Sequence, residues 1–489
     1  MKRSTFTRVS ALALIAAMSF SACSKKQPAE IKVRHKDLDE KVTESEPEPA
    51  ATTTVETTAE TTEYIDETTT AATSQNDGDV ITIYTYTDDV STLCNRFQQT
   101  HPDFPYTFNI YQLDTYSGYS EVLATALGTG NEAPDIFAVD DSFYYDYFVG
   151  DVSPYTAPYK DFGIDVENAI VDAQIAPYIA ENGRRTSDGE IVGLTYSSSG
   201  CFMIYRTDIA EEVFGTSDPD EIADLVGAGS GSWDKFKSAA VKLDAAGYSA
   251  LSGVNDLWVL QRCQSTSPWE VNGEANISAE NAAFLDLALE FNEYTNQSGW
   301  WSESWYADMS GTGERPVFAF FGPEWMLDFS MGMYAGDTLG KWNITEAPLN
   351  AYWGSTWIVP SSYAAESSSD KRAAIGEFLY WMTLDTSDDG AQAYLASGEG
   401  FDGCLTQVAS AVVQENYVID SPVLGGQADQ NSYFTDASQS AVFHPKCKDS
   451  DYYDSIFLSY VMEYLWGDCT KEEALQDLAD DIDYNVAHS

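Results

Sequence analysis

The chain has 489 residues, with 78 acidic side chains against 25 Lys and Arg, a formal net charge of −53 and four histidines. So negative a surface, with no basic stripe to offset it, argues against nucleic acid and anionic lipid headgroups as ligands. Two of the histidines, His35 and His488, stand in a low-complexity segment and at the terminus, leaving too few for a His-rich metal centre or a Ser-His-Asp arrangement.

The first residues, MKRSTFTRVSALALIAAMSFSACSKK, place Lys2, Arg3 and Arg8 before the apolar run Val9–Phe20. That run is too short to span a bilayer comfortably and is expected to be an export signal. It ends in Phe20-Ser21-Ala22-Cys23, which resembles the lipobox of bacterial lipoproteins. The resemblance implies that residues 1–23 are a lipoprotein signal peptide, that Cys23 carries the lipid (a palmitate-type acyl anchor), and that the mature chain sits on the extracytoplasmic face of the cell membrane. Residues 24–78 are rich in Thr, Glu, Ala and Pro, with Val55, Tyr64 and Ile65 among their few larger apolar residues. They cannot bury enough surface to offset chain entropy and are expected to be a disordered tether. Six further cysteines, Cys94, Cys201, Cys263, Cys404, Cys447 and Cys469, show no C-x-x-C pair. Fifteen pairings are open to them, and buried thiols are equally acceptable in a domain this large.

Residues 79–489 have the length of two domains. DVITIYTYTDD predicts a strand running into Asp88-Asp89, YTFNIYQLD a second, and SGYSEVLATALGTGNEAPDIFAVDDSF a helix, a turn and a strand ending at Asp140-Asp141. The rhythm argues for an α/β domain with a largely parallel sheet. Ligands of such sheets bind beyond the carboxyl ends of the strands, which puts Tyr86, Asp88, Asp140 and Asp141 on one rim. Phe202–Tyr205 is a further strand. SWDKFKSAAVKLDAAGYSAL, SSDKRAAIGEFLYWMTL and CTKEEALQDLADDIDYNV are helices with no assigned chemistry.

The order of several weak motifs then becomes informative: GTGNEAPDIFAVD, IVGLTYSSSGCFMIYRTDIAEEVFG, SWDKFKSAAVKL, ERPVFAFFGPEWMLDF, YWGSTWIVPSS and YLWGDCTKEEALQDL. Their succession resembles the extracellular solute-binding proteins of carbohydrate ABC transporters, the maltose-binding-protein-like family. The resemblance implies a two-lobed periplasmic-binding-protein-like α/β fold with hinge crossings and a ligand cleft between the lobes. It assigns 79–195 and 356–410 to one lobe, and 196–355 and 411–489 to the other. It also implies a monomer that delivers an oligosaccharide or other small solute to ABC transporter permease subunits, with no cofactor and no catalysis.

Sugar rings offer a flat C–H face edged with hydroxyls, so tryptophans to stack and carboxylates to accept hydroxyls are the groups to look for. The ligand-binding candidates are Asp88, Asp140, Asp141, Tyr196, Asp256, Trp258, Trp325, Trp353, Trp357 and Tyr453. Trp325 comes from the family motif FGPEW. Trp353 and Trp357 bracket Gly354-Ser355-Thr356, and their spacing places them on one face of an extended segment. Each candidate has a plainer reading beside this one: tryptophans as core, acids as solvated surface. Trp300, Trp301 and Trp305 in GWWSESWY have two readings, a second stacking platform for a sugar and, preferred over it, an aromatic cap over a helix end. No basic residue joins the set. The richness in aromatics favours several sugar rings over one.

Other functions stay open at this stage. A glycan-active enzyme needs two suitably separated carboxylates, which chance supplies in so acidic a chain. A surface sugar sensor without a transporter would share the anchor, tether and cleft. DTSDDG resembles the start of a calcium loop, but Ala396 stands where the bidentate Glu belongs.

Overall fold

The computed structural model describes residues 80–400, 406–417, 421–427 and 430–488. Cys23, the 24–78 segment and Cys404 lie outside them. The strands are β1 (Val80–Thr85), β2 (Thr107–Gln112), β3 (Ile136–Asp140), β4 (Leu194–Thr195), β5 (Phe202–Arg206), β6 (Glu270–Val271), β7 (Glu274–Ala275), β8 (Ala319–Gly322), β9 (Trp342–Thr345) and β10 (Thr356–Pro360). They form a five-stranded sheet in the order β2-β1-β3-β10-β4, a three-stranded sheet β8-β5-β9 and the hairpin β6-β7.

The first sheet grows from the strand–helix–strand rhythm of the sequence. The helix Asp88–Thr100 starts where Thr87 Oγ1 accepts from Asp89 N, and Asp88 and Asp89 place negative charge in its first turn. Its buried residues Val90, Leu93, Cys94 and Phe97 recur at helical spacing, so one face is covered. Every residue of β3 is buried, as befits a strand packed on both faces.

The sheets are less parallel than the sequence rhythm indicates. β2, β1 and β3 are parallel, but β10 runs against β3 and β4 runs against β10, and the second sheet is antiparallel throughout. The cause is the chain path. It leaves the first sheet after β4, builds the second from β5, β8 and β9, and re-enters the first as β10. The later strand therefore arrives in the middle of the sheet and not by a βαβ crossover.

The passages between sheets lie side by side. Ser197 bridges Val408, Gly200 bridges Tyr352, and Trp353 N donates to Ser199 O at 2.9 Å. A Cβ on Gly200 would lie 2.3 Å from Ala437 O, so the first passage can touch the helix Gln430–Ser440 only because glycine stands there. This band of three segments is the geometry of a hinge. The C-terminal helices Ser450–Trp466 and Lys471–His488 pack on each other, and the first also packs on Ala279–Phe291. Cys94, Cys201, Cys263, Cys447 and Cys469 are free thiols.

Candidate functional site

A cavity opens where the carboxyl end of β3 faces the helices Val254–Gln261 and Ser450–Trp466. Its wall comprises Asp140, Asp141 and Ser142 from the first sheet, and Trp258, Arg262 and Trp300 opposite. Trp353 and Gly354 come from the returning passage, and Asp451, Asp454, Ser455 and Leu458 from the C-terminal helix. The last four are spaced i, i+3, i+4, i+7, one face of one helix. The cavity measures about 50 Å³, well below the roughly 300–1,000 Å³ typical of small-molecule sites.

The polar groups of this wall are partly engaged with one another. Asp140 Oδ1 accepts from Ser142 N at 2.9 Å and Ser142 Oγ at 2.5 Å. Asp141 Oδ2 accepts from Tyr352 Oη at 2.6 Å and Lys446 Nζ at 2.5 Å. Lys446 also lies 3.5 Å from Asp451 Oδ1. Asp454 Oδ1 accepts from Trp269 Nε1 at 2.7 Å, while its Oδ2 stands 3.8 Å from Arg262 Nη1, too far for a hydrogen bond. The Arg262 guanidinium lies 5.7 Å from the Trp353 ring centroid, a cation–π contact.

Burial pushes the Asp140 carboxyl up to about 6 against the pull of the Ser142 donors, and Asp454 likewise up to about 6 against the opposing Arg262 charge. Burial opposes the charge on Lys446, but Asp141 and Asp451 outweigh it and hold the ammonium firmly protonated.

Four buried polar atoms on this wall have no hydrogen-bond partner among the described residues: the acceptors Asp141 Oδ1 and Asp454 Oδ2, and the donors Trp258 Nε1 and Arg262 Nε. Buried polar atoms are nearly always paired, so these four, all on residues that line the cavity, leave hydrogen-bonding capacity beside it unused.

Of the ten residues the sequence singles out, Asp140, Asp141, Trp258 and Trp353 meet at the cavity. Trp325 stands beside it, its ring 5.1 Å from that of Trp353 and its Nε1 3.4 Å from Trp353 O. Asp256 stands behind it. Its Oδ1 accepts from Trp300 Nε1 and Trp305 Nε1, and its Oδ2 from the backbone N–H of Ser252 and Gly253. With both oxygens so occupied, Asp256 holds Trp300 in place and has no acceptor left for a solute.

The other four lie elsewhere. Trp357 is fully buried in the first sheet against Tyr144 and Phe148. Gly354 at φ +80° interrupts the extended run, so Trp353 and Trp357 do not share a face. Asp88 binds Gln112 Nε2 at the sheet edge, and its neighbour Asp89 is the one that turns inward, accepting from Tyr196 Oη at 2.9 Å. Tyr196 is thereby buried in the hinge. Tyr453 is buried with its hydroxyl accepting from Asn485 at 2.9 Å; one residue on, a turn of about 100°, Asp454 faces the cavity.

Arg262 and Lys446 correct the expectation of a site without basic groups. Arg262 was legible as i+4 from Trp258, and Asp451 and Asp454 as i, i+3 on the last amphipathic stretch. Lys446 carried no local signal. Among the described residues no group of three or more His, Cys, Asp or Glu side chains is placed to hold a metal ion.

Residues 85–389 match the model of the bacterial extracellular solute-binding protein family. The chain belongs to this family. No curated relative matches. Among solved structures, a family 1 extracellular solute-binding protein aligns at TM-score 0.65 and 16% identity, over 84% of this chain and 100% of its own. The galacto-N-biose-/lacto-N-biose I-binding protein of Bifidobacterium longum, solved with lacto-N-biose, aligns at 0.59 and 17%, over 84% and 99%. Maltose-bound MalE3 of T. maritima aligns at 0.53 and 16%, over 83% and 99%. At such identities these neighbours establish the two-lobed fold. The family is one of binding proteins and not of enzymes. No helix among the described residues of this solute-binding protein is long and apolar enough to cross a membrane.

Proposed function

We propose that this solute-binding protein captures a neutral oligosaccharide between its lobes and hands it to the permease of an ABC transporter, making and breaking no covalent bond. The observation that carries the reading is the set of four unpaired atoms on the cavity wall, two acceptors and two donors. A hydroxyl both donates and accepts, so a polyhydroxylated ring can satisfy all four. A bare cation would leave Trp258 and Arg262 unpaired, and an anion would leave the carboxylates so. Trp300 and Trp353 supply rigid apolar area for the C–H face of such a ring. Neighbours solved with lacto-N-biose and maltose support the class of cargo.

In this reading residues 79–195 and 356–410 move as one lobe against 196–355 and 411–489. Cys23 bears the lipid that keeps the chain at the outer face of the cell membrane, residues 24–78 are its spacer, and the protein works as a monomer. Intrinsic tryptophan fluorescence, titrated with plant, host and starch oligosaccharides, tests it. A saturable shift for one class, lost in Trp353→Ala with the fold intact, is expected. Silence across the panel from a folded protein would favour a solute of another kind.

A further inference from the structure

One buried ammonium stands behind the cavity wall. The Lys446 side chain is 4% exposed and is not among the groups that line the cavity. Its Nζ donates to two atoms of a single residue, Asp141 Oδ2 at 2.5 Å and Asp141 O at 2.8 Å. Asp451 Oδ1 lies 3.5 Å from the same nitrogen. Asp141 and Asp451 both line the cavity, one from the end of β3 and the other from the first turn of the helix Ser450–Trp466. A single positive charge thus serves two carboxyl groups of the wall.

These contacts decide which way Asp141 turns. Tyr352 Oη donates to the same Oδ2 at 2.6 Å. Two donors on one oxygen, with a third bond to the residue's own carbonyl, fix the rotation of the carboxylate. Oδ1 is what remains: buried, on a residue that lines the cavity, and without a hydrogen-bond partner among the described residues. Lys446 is itself carried on a turn closed by local hydrogen bonds. Cys447 N donates to Ser450 Oγ at 2.8 Å and Ser450 N to Cys447 O at 3.3 Å. Asn485 Nδ2 holds the Asp449 carboxylate, next to which the chain turns at φ +62°.

A buried ion pair seldom stabilises a fold more than apolar side chains of similar volume would. Stability therefore does not account for a buried ammonium here, whereas a fixed orientation of Asp141 does. We propose that Lys446 is a positioning residue for the solute: acting through Asp141, it presents Oδ1 as a charged acceptor to one hydroxyl of the bound sugar. Lys446 touches no ligand itself. A hydrogen bond to a carboxylate is roughly twice as strong as one between neutral groups, so a ligand lacking that hydroxyl is strongly disfavoured. The inference rests on the sugar reading above.

The test uses the purified full chain, titrated calorimetrically with maltose, cellobiose, xylobiose, lactose and lacto-N-biose, then with the monodeoxy analogues of each sugar that binds. In the wild type one deoxy position weakens binding by about tenfold or more, as the loss of one charge-assisted bond requires. In Lys446→Met, which keeps the volume and removes the charge and its donors, that ratio falls to about threefold or less, and the ratios at the other positions stay as they were. Lys446→Gln keeps a donor without the charge, so its ratio lies between, and it decides the matter alone where the Met variant does not fold. A lysine that only held the fold together would weaken the parent sugar and every analogue by one common factor. Unchanged ratios in both variants would therefore overturn the positioning role, as would a wild type in which no deoxy position matters. A wild type that binds none of the five sugars would instead remove the sugar reading, and this role with it.

Discussion

Lys446 and Asp141 tie the end of β3 to the segment before the helix Ser450–Trp466: Lys446 Nζ donates to the Asp141 carboxylate at 2.5 Å and to its backbone carbonyl at 2.8 Å. Asp141 follows the parallel strand β3 of the first sheet, while Lys446 precedes the helix Ser450–Trp466, which packs on Ala279–Phe291 and Lys471–His488. Both side chains are largely withdrawn from water, so the pair is a buried one that would act as a latch if the two segments move apart.

Lys446→Met removes this latch. Breaking one partner of a buried pair costs about 3–5 kcal/mol, and here opening the cleft relieves the cost by rehydrating Asp141. The ligand-free variant is expected to show a larger radius of gyration in solution scattering, and a weaker apparent affinity for any cleft ligand. An unchanged radius would mean that other contacts hold the lobes.

Asp256 organises the tryptophan wall through two backbone and two indole donors. In Asp256→Asn an amide N–H faces donors, leaving some of them buried and unpaired. Urea unfolding should show a loss of roughly 3 kcal/mol, from a penalty of about 1–3 kcal/mol for each group. Because Trp300 loses its anchor, binding should weaken along with stability. Full stability in this variant would contradict the role given to Asp256.

Asp89 sets a pH dependence. It is buried, and burial pushes its carboxyl up to about 7 against the pull of its hydrogen bonds with Tyr196 and Thr87, whereas an unfolded Asp titrates at about 4. Between those values the native state holds a proton that the unfolded state lacks, so the contribution is full below about pH 4 and lost as pH rises through about 7. Asp89→Asn, neutral throughout, should flatten the stability profile between about pH 4 and 7 relative to the wild type. A profile parallel to the wild type would assign the slope to other groups.

The cleft has its own pH response. If Asp454 receives ligand hydroxyls, its carboxyl, pushed up to about 6 by burial, accepts them most strongly when ionised, because the carboxylate makes the stronger charge-assisted bond. Affinity should therefore decline as pH falls below about 6, and Asp454→Asn should bind more weakly at pH 8 while losing part of that decline, the rest staying with Asp140, which also titrates at about 6. An affinity constant from pH 8 to 5 would remove Asp454 from the ligand contacts.

Much of this was legible in the chain. Period-two and period-3.6 patterns located β1, β2, β3, β5 and their helices because local burial dictates them. The acid pair closing β3 fell on the cavity because strand ends do. What escaped depends on distant partners or on one backbone angle. Gly354 turned Trp357 away from Trp353; a single step along a helix exchanged Tyr453 for Asp454 and Asp88 for Asp89. Lys446 matters only because folding brings it to Asp141, 305 residues away in sequence.

The most direct measurement of the central claim is a calorimetric titration of the purified protein with three matched disaccharides: neutral, uronic-acid and amine-bearing. If the unpaired donors and acceptors of the cavity serve hydroxyls, the neutral sugar binds most tightly and Trp353→Ala weakens it by about tenfold or more. Preference for either charged sugar, or indifference to the loss of Trp353, would contradict the account.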